Sequence, residues 1–144
     1  MFSKACEYGI KAIIYIATQS MVGRRVKMGE IVEHIDSPEA FTAKILGALV
    51  KENIVVSVTG PYGGFYIEKD RMELISMIDI VNAIDGDSIF NGCGLGLKQC
   101  NADQPCPMHS KFVGVRAELK SMLKSTSILE LAEGLNSGKT TLMR

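Results

Sequence analysis

The sequence predicts a mainly helical chain that carries one small β-hairpin. Three successive segments before Asn53 repeat apolar side chains at the spacing of a buried helix face. Two short runs rich in β-branched and aromatic residues follow, separated by the glycine-rich turn 60–64. Further along, apolar side chains recur at three- and four-residue intervals on an otherwise polar segment. We therefore expect an α+β chain in which helices, a hairpin and one long later helix follow in that order.

Length and composition limit the class of protein. The chain has 144 residues, enough for one compact domain or a small domain with an appendage. Sixteen basic and sixteen acidic residues cancel, so net charge gives no argument for a nucleic-acid partner. The apolar run 12–17 is too short to span a bilayer and lacks the flanks of a secretory signal. We expect a cytoplasmic protein without a membrane partner.

The first helix is predicted from a single apolar face that comprises Cys6, Ile10, Ile13, Ile14 and Ala17. Cys6 is therefore expected in the core. On the opposite face Glu7 and Lys11 stand four residues apart, in the order that favours a helical ion pair.

The second helix is predicted from apolar residues at Met28, Ile31, Val32 and Ile35. His34 falls off this face, which is typical of a solvated histidine. The following tripeptide Asp36-Ser37-Pro38 indicates, in succession, a helix stop, an N-cap and a first-turn proline.

A third helix is predicted to begin at this turn. Its expected core face is Phe41, Ile45, Leu46 and Leu49. The small and polar residues of its first turns remain free to meet a partner, and they are Glu39, Ala40, Thr42, Ala43 and Lys44.

The hairpin completes the first half of the chain, with strands expected at 54–59 and 65–67. Three helices, the last two joined by a tight turn, followed by a two-stranded hairpin, is the order of a winged helix-turn-helix DNA-binding domain. In such a domain the third helix enters the major groove. The hairpin is the wing.

The second half predicts two helical segments that flank an irregular stretch. Ser76 and Asp79 form a capping box for a short linking helix that Gly86 ends. Beyond the irregular stretch, apolar residues at 3-4-3 spacing form a narrow seam, namely Phe112, Val115, Leu119 and Met122. We interpret the seam as a homodimer helix, with packing on its own domain as the alternative. Ser127 and Glu130 cap a last short helix, and a frayed tail is expected after it.

The chemistry lies in the irregular stretch, which contains Cys93-x6-Cys100-x5-Cys106-Pro-Met-His109. Closely spaced thiolates and an imidazole suit an iron–sulfur cluster or zinc, whereas magnesium and calcium prefer carboxylates. Small residues around Cys93 let backbone N–H groups approach thiolate and sulfide. The alternatives are a zinc module with three cysteines and one histidine, or thiols that act without metal. In a reducing cytosol, clustered cysteines are more often ligands or redox thiols than structural disulfides.

Enzyme chemistry is not indicated. Cys106 and His109 could be drawn as a nucleophile and a base, but no third orienting group can be named. The segment Gly138-Lys139-Thr140 is similar to the end of a phosphate-binding loop, yet the required earlier glycine falls at Glu133. We expect no catalytic residue.

Several segments together resemble the Rrf2 family of bacterial winged helix-turn-helix transcription regulators, which includes the IscR and NsrR regulators. They are the motif Ser3-Lys4-Ala5-Cys6-Glu7-Tyr8, the turn before Pro38-Glu39-Ala40-Phe41, the wing Ser57-Val58-Thr59-Gly60-Pro61-Tyr62-Gly63-Gly64-Phe65, and the three later cysteines. The resemblance covers roughly the first 125 residues, and the combination of wing and cysteines is specific.

This resemblance implies a homodimer that binds palindromic DNA and senses redox, iron–sulfur or nitric oxide status through a cluster. A 2Fe-2S cluster is favoured and a 4Fe-4S cluster is possible. Cys93, Cys100 and Cys106 match the family's cysteine ligands, and His109 matches the fourth ligand of two-iron members. Glu7 lies near the position from which the partner's first helix supplies an acidic ligand in other members. We rank His109 above Glu7.

The resemblance also implies which residues contact DNA, and here the chain departs from its relatives. Thr59 stands where relatives often carry a wing arginine, and Ala40 and Ala43 replace polar readers, so we expect a different operator. The expected DNA contacts are Ser37, Ala40, Thr42, Ala43, Lys44, Thr59, Tyr62 and Gly63. The expected organisation is a DNA-binding domain at 1–68, a linker helix and cluster loop at 69–110, a dimerisation helix and a short C-terminal helix at 111–135, and a flexible tail at 136–144.

Overall fold

The computed structural model describes residues 1–142, so the last two residues of the predicted tail lie outside the described part. In the described chain the elements are α1 (Lys4–Met21), α2 (Met28–Ile35), α3 (Glu39–Lys51), β1 (Val56–Val58), β2 (Gly64–Tyr66), α4 (Lys69–Met72), α5 (Met77–Asp85), α6 (Ser88–Asn91), α7 (His109–Ser125) and α8 (Ile128–Asn136). The predicted class, helices with one antiparallel hairpin, is confirmed. Within residues 1–142, no helix combines the length and the apolar character needed to cross a membrane.

Helix α1 lies at the centre and packs against α2, α3, α5 and α8. The hydroxyl of Ser3 accepts the Cys6 N–H at 3.0 Å and so caps its first turn. Cys6 is fully buried, as predicted. The predicted ion pair between Glu7 and Lys11 is wrong, because Glu7 pairs with Lys4 at 3.4 Å and the Lys11 ammonium lies over the Tyr8 ring.

Two aromatic positions differ from the prediction. His34 is not a solvated side chain, because its ring stacks on Tyr15 with centroids 4.0 Å apart. Phe41 was expected in the core but is exposed, and it meets the Tyr8 ring edge-on at 5.8 Å. The buried face of α3 instead begins at Thr42, which shifts the start of the predicted stripe by one residue.

The hairpin pairs Val56 with Tyr66 and Val58 with Gly64, so the first strand is shorter than predicted and the second begins and ends one residue earlier. Ile54 and Val55 are buried and belong to the connection from α3, where both N–H groups reach the Leu49 carbonyl. A third segment joins the hairpin, because Val26 and Phe65 exchange two backbone hydrogen bonds of 3.1 and 2.7 Å.

The linking helix α5 is fixed to the C-terminal helices. Its capping box of Ser76 and Asp79 and its end at Gly86 are as predicted. The Met77 N–H donates to the Thr126 carbonyl, and the Ile128 N–H to the Ile75 carbonyl, both at 2.9 Å. The end of α7 and the start of α8 are therefore tied to the start of α5.

The start of the predicted tail continues from α8 with two local hydrogen bonds. The Ser137 N–H donates to the Glu133 carbonyl, and the Thr140 N–H to the Gly134 carbonyl. Both partners belong to α8, and the flexible tail at 136–144 stays a prediction.

We predict that Gly63→Ala destabilises the wing. A β-carbon at Gly63 would lie 2.0 Å from the Val58 carbonyl oxygen, and a backbone atom cannot move aside cheaply. We expect a loss of roughly 1–3 kcal/mol in the free energy of unfolding, measured in urea at fixed protein concentration. The control is Gly47→Ala on α3, where no atom lies within 4 Å and about 1 kcal/mol of stabilisation is expected. An unchanged stability for Gly63→Ala would contradict this geometry.

We also predict that Cys6 resists alkylation in the folded protein. Burial, followed in importance by the charge of Asp85, raises the pKa of the Cys6 thiol to about 12. Iodoacetamide at pH 9 should modify the three half-buried cysteines of metal-free protein and leave Cys6 unmodified until urea unfolds the chain. Peptide mass spectrometry measures this order, and Cys6 labelling at the rate of the other three would disprove it.

Candidate functional site

The turn between α2 and α3 is held by side-chain hydroxyl groups, and the predicted N-cap Ser37 does not cap α3. Asp36 ends α2 in the left-handed conformation with φ 51°, and Pro38 occupies the N-cap of α3. Thr42 is only 1% exposed and donates its hydroxyl to the Pro38 carbonyl at 2.8 Å. The Ser37 and Thr42 hydroxyl oxygens lie 2.6 Å apart.

Two residues that were expected to contact DNA lie inside the turn. Ser37 and Thr42 are buried, and their hydroxyl groups are hydrogen-bonded within the turn. Ala40, Ala43 and Lys44 are exposed on the first turns of α3, as expected for a surface that meets a partner. The polar side chain left for a base or phosphate contact on this surface is Lys44, beside the acidic Glu39.

The wing tip exposes Thr59 and Tyr62, the latter by 90%. Gly63 was also expected to contact DNA, but it is buried behind the tip and donates its N–H to the Gly60 carbonyl at 3.0 Å. Gly63 therefore lies on the inner side of the turn, and its contact with DNA stays a prediction.

Two cations that the sequence pattern did not predict hold the wing. The Lys27 ammonium donates to the Gly60 carbonyl at 2.9 Å, and Arg25 donates to the Tyr62 carbonyl at 3.3 Å. The Arg25 guanidinium also lies 5.0 Å from the centre of the Tyr66 ring. The available signal was the local run Arg24-Arg25-Val26-Lys27 before the second helix, which net charge conceals. Both cations add positive charge beside the wing.

The cysteine loop runs between α6 and α7 without a helix or a strand. Its four predicted donors are all half-buried, and the three cysteines are free thiols. The Cys100 sulfur lies 3.4 Å from Nδ1 of His109. Backbone N–H groups of Leu95 and Leu97, and then the neighbouring Cys106 side chain, lower the pKa of Cys93.

Of the four donors, Cys100 and His109 are therefore in direct contact, whereas Cys106 is one of the groups that lower the pKa of Cys93. Across residues 1–142, no three histidine, cysteine or acidic side chains gather in a way that could hold one metal ion. The four predicted ligands share one loop, but they do not converge on a single point.

Arg116 joins the loop to α7. It donates to the Gly92 carbonyl oxygen, and its second terminal nitrogen lies 3.2 Å from the Cys100 sulfur. The Phe112 ring packs so closely on the loop that a β-carbon at Gly94 would lie 2.4 Å from it. In the sequence, Arg116 is one of several charges on a polar helix, and its half-buried position becomes apparent only in three dimensions.

The predicted seam on α7 divides into two groups. Phe112 and Leu119 are half-buried, as is typical of packing on the helix's own domain. Val115 and Met122 are 62% and 51% exposed. Leu123 was not predicted, yet it is the α7 side chain buried in the core, at 2% exposure.

Comparison with known proteins agrees with this architecture. The family model described as Rrf2, iron-dependent transcriptional regulator, matches residues 2–134. An HTH-type transcriptional regulator of Aquifex aeolicus is 32% identical over 133 residues, which cover 91% of this chain and 90% of the relative. The HTH-type transcriptional regulator IscR of Photorhabdus laumondii is 26% identical over 124 residues, covering 86% and 74%.

Two solved structures share the winged helix fold. CymR, the global cysteine regulator of B. subtilis, aligns with a TM-score of 0.74 at 20% identity over 92% of this chain and 96% of its own. IscR of T. potens aligns with a TM-score of 0.75 at 19% identity over 98% and 92%. With the family match over nearly the whole chain, these findings establish that the chain belongs to the Rrf2 family of DNA-binding transcriptional regulators, which are not enzymes.

Proposed function

We propose that this chain is a cytoplasmic, homodimeric regulator that senses redox, iron–sulfur or nitric oxide status through an iron–sulfur cluster. Cys93, Cys100, Cys106 and His109 would hold the cluster. The observation that carries the proposal is the presence of these four soft donors in one loop, with Cys100 and His109 3.4 Å apart. The loop lies directly against α7, the helix that bears the exposed seam.

The donor set fits a two-iron cluster in particular. Each iron of such a cluster takes two protein ligands, and histidine can replace cysteine on one iron. Three cysteines and one histidine match this need in number and type, and the backbone N–H groups that lower the pKa of Cys93 suit a thiolate ligand. When bound, the cluster supplies one-electron redox chemistry. A 4Fe-4S cluster remains the alternative nuclearity.

Two other uses of the loop compete with this proposal. A structural zinc ion needs four donors around one point, and the described residues offer no such group of three or more. Sensing by thiols alone has support from the proximity of Cys93 and Cys106, which could form a disulfide on oxidation. For the fourth ligand, Glu7 is the alternative to His109, although within the protomer Glu7 pairs with Lys4.

The chain's own contacts provide a route from the loop to the DNA-binding helices. Arg116 and Phe112 fix the loop to α7, and the backbone bonds at Met77 and Ile128 fix the end of α7 to α5. At the other end of α5, the Ser3 N–H donates to the Asp85 carboxylate at 3.3 Å, beside the N-cap of α1. A loop that loosens would change these contacts and so the position of α3.

The proposed DNA surface combines α3 and the wing. Ala40, Ala43 and Lys44 would face the major groove, Thr59 and Tyr62 the minor groove, and Arg25 and Lys27 the phosphates. Val115 and Met122 would meet their equivalents in a second copy, with Phe112 and Leu119 at the edge of the contact. A two-fold dimer of this kind suits a palindromic site.

We predict that Lys44→Ala weakens DNA binding about tenfold, or roughly 1.4 kcal/mol. The reason is its exposed position on the first turns of α3. Fluorescence anisotropy should be measured on a palindromic duplex obtained by selection from random DNA. If Lys44 contacts a phosphate, the slope of the logarithm of the DNA affinity against the logarithm of the salt concentration should also become shallower by about one unit. Lys51→Ala, at the exposed end of the same helix, is the matched control and should bind as the unchanged protein does. Equal effects from both variants would reject this surface.

We also predict that anaerobically purified protein is coloured and contains about two iron and two sulfide per chain. Cys100→Ala should be colourless, whereas Cys6→Ala should keep the colour because Cys6 is buried in the core. His109→Cys should hold the cluster better than His109→Ala if His109 is the fourth ligand. Colourless protein with one firmly bound zinc would reject the proposal. Protein that takes up no iron, while thiol oxidation still changes its DNA binding, would favour thiol sensing.

A further inference from the structure

Arg116 is more buried than the other cations of α7. Lys111, Lys120 and Lys124 are exposed, whereas Arg116 is half-buried on the face turned toward the cysteine loop. Its neighbours on that face are the half-buried Phe112, which packs on the loop at Gly94, and Leu119, which packs against the core. A cation placed on the inner face of a helix loses hydration and needs partners there.

The partners of Arg116 lie at two separate points of the loop. One terminal nitrogen donates to the Gly92 carbonyl, directly before Cys93, and the other lies 3.2 Å from the Cys100 sulfur. The planar guanidinium has several N–H donors in a fixed fork, so it can hold both points at once. One side chain thus contacts the Cys100 sulfur and the peptide carbonyl next to Cys93.

We propose that Arg116 is a positioning residue for the cluster, which holds Cys100 against α7 and raises the cluster's reduction potential. This inference rests on the proposed function. A two-iron cluster with three thiolates and one neutral imidazole has one net negative charge when both irons are ferric, and two after it accepts one electron. A fixed cation beside the ligating sulfurs stabilises the more negative state. N–H donation to a ligating sulfur acts in the same direction.

The test is an anaerobic redox titration with dithionite as the electron donor, followed by the visible spectrum. Arg116→Gln keeps a hydrogen-bond donor and removes the charge, so its midpoint potential should move to a lower value. Arg116→Lys keeps the charge, so its midpoint should lie closer to that of the unchanged protein. Lys120→Gln removes an exposed charge one turn further along the same helix and should leave the midpoint in place. Circular dichroism checks that each variant is folded.

The outcomes separate this inference from the proposed function. Unchanged protein without a cluster overturns both. Unchanged protein with a cluster, together with an unaltered midpoint in Arg116→Gln, overturns the role of Arg116 alone. If the midpoint potential shifts equally in Lys120→Gln, the role of Arg116 is also overturned, because the loss of any positive charge from α7 would then explain the shift. If Arg116→Gln folds but does not hold the cluster, Arg116→Lys becomes the deciding variant. A cluster in Arg116→Lys with a midpoint potential near that of the unchanged protein supports the proposal. Folded Arg116→Lys without a cluster contradicts it.

Discussion

The packing of α1 is the constraint on which the rest of the structure depends. Helices α2, α3, α5 and α8 all lie against it, and Cys6, Ile13 and Ile16 on it are fully buried. Gly9 lets α5 approach closely, because a β-carbon there would lie 2.2 Å from the Ile84 side chain. The helix-turn-helix unit and the linking helix therefore share one core. We expect a displacement of α5 to alter the packing around α1, since close-packed interiors transmit strain.

Much of this arrangement could be predicted from the sequence because it follows from local rules. The apolar face of α1, the capping box of Ser76 and the Gly86 stop depend on residues within a few positions of one another. The errors arose where a tertiary partner decided the outcome. Phe41 was expected to be buried and Thr42 exposed, but the opposite is observed, because the Thr42 hydroxyl forms hydrogen bonds inside the turn. His34 stacks on Tyr15, a residue nearly twenty positions away.

The same distinction between local signals and tertiary partners applies to the candidate site. The residue types and their spacing were enough to predict Cys93, Cys100, Cys106 and His109 as one ligand set, and this set stays a prediction. The contact between Cys100 and His109 could not be predicted, because it depends on how the loop folds onto α7. Arg25, Lys27 and Arg116 were not predicted for a similar reason. Each is a cation whose partner is a backbone carbonyl or a sulfur distant in sequence, and neither leaves a periodic signal.

Helix α7 connects the cysteine loop to α5 and carries the proposed dimer contact. One face of it meets the cysteine loop, its last turn is tied to α5, and Val115 and Met122 remain exposed along it. A change in the loop would thus reach both the core around α1 and the proposed dimer contact. The most direct test is the DNA affinity of one preparation before and after the cluster is removed, on the same duplex and at the same salt concentration. The account predicts a difference of about 5- to 150-fold, the usual range for coupled sites. Equal affinities for loaded and stripped protein would contradict it.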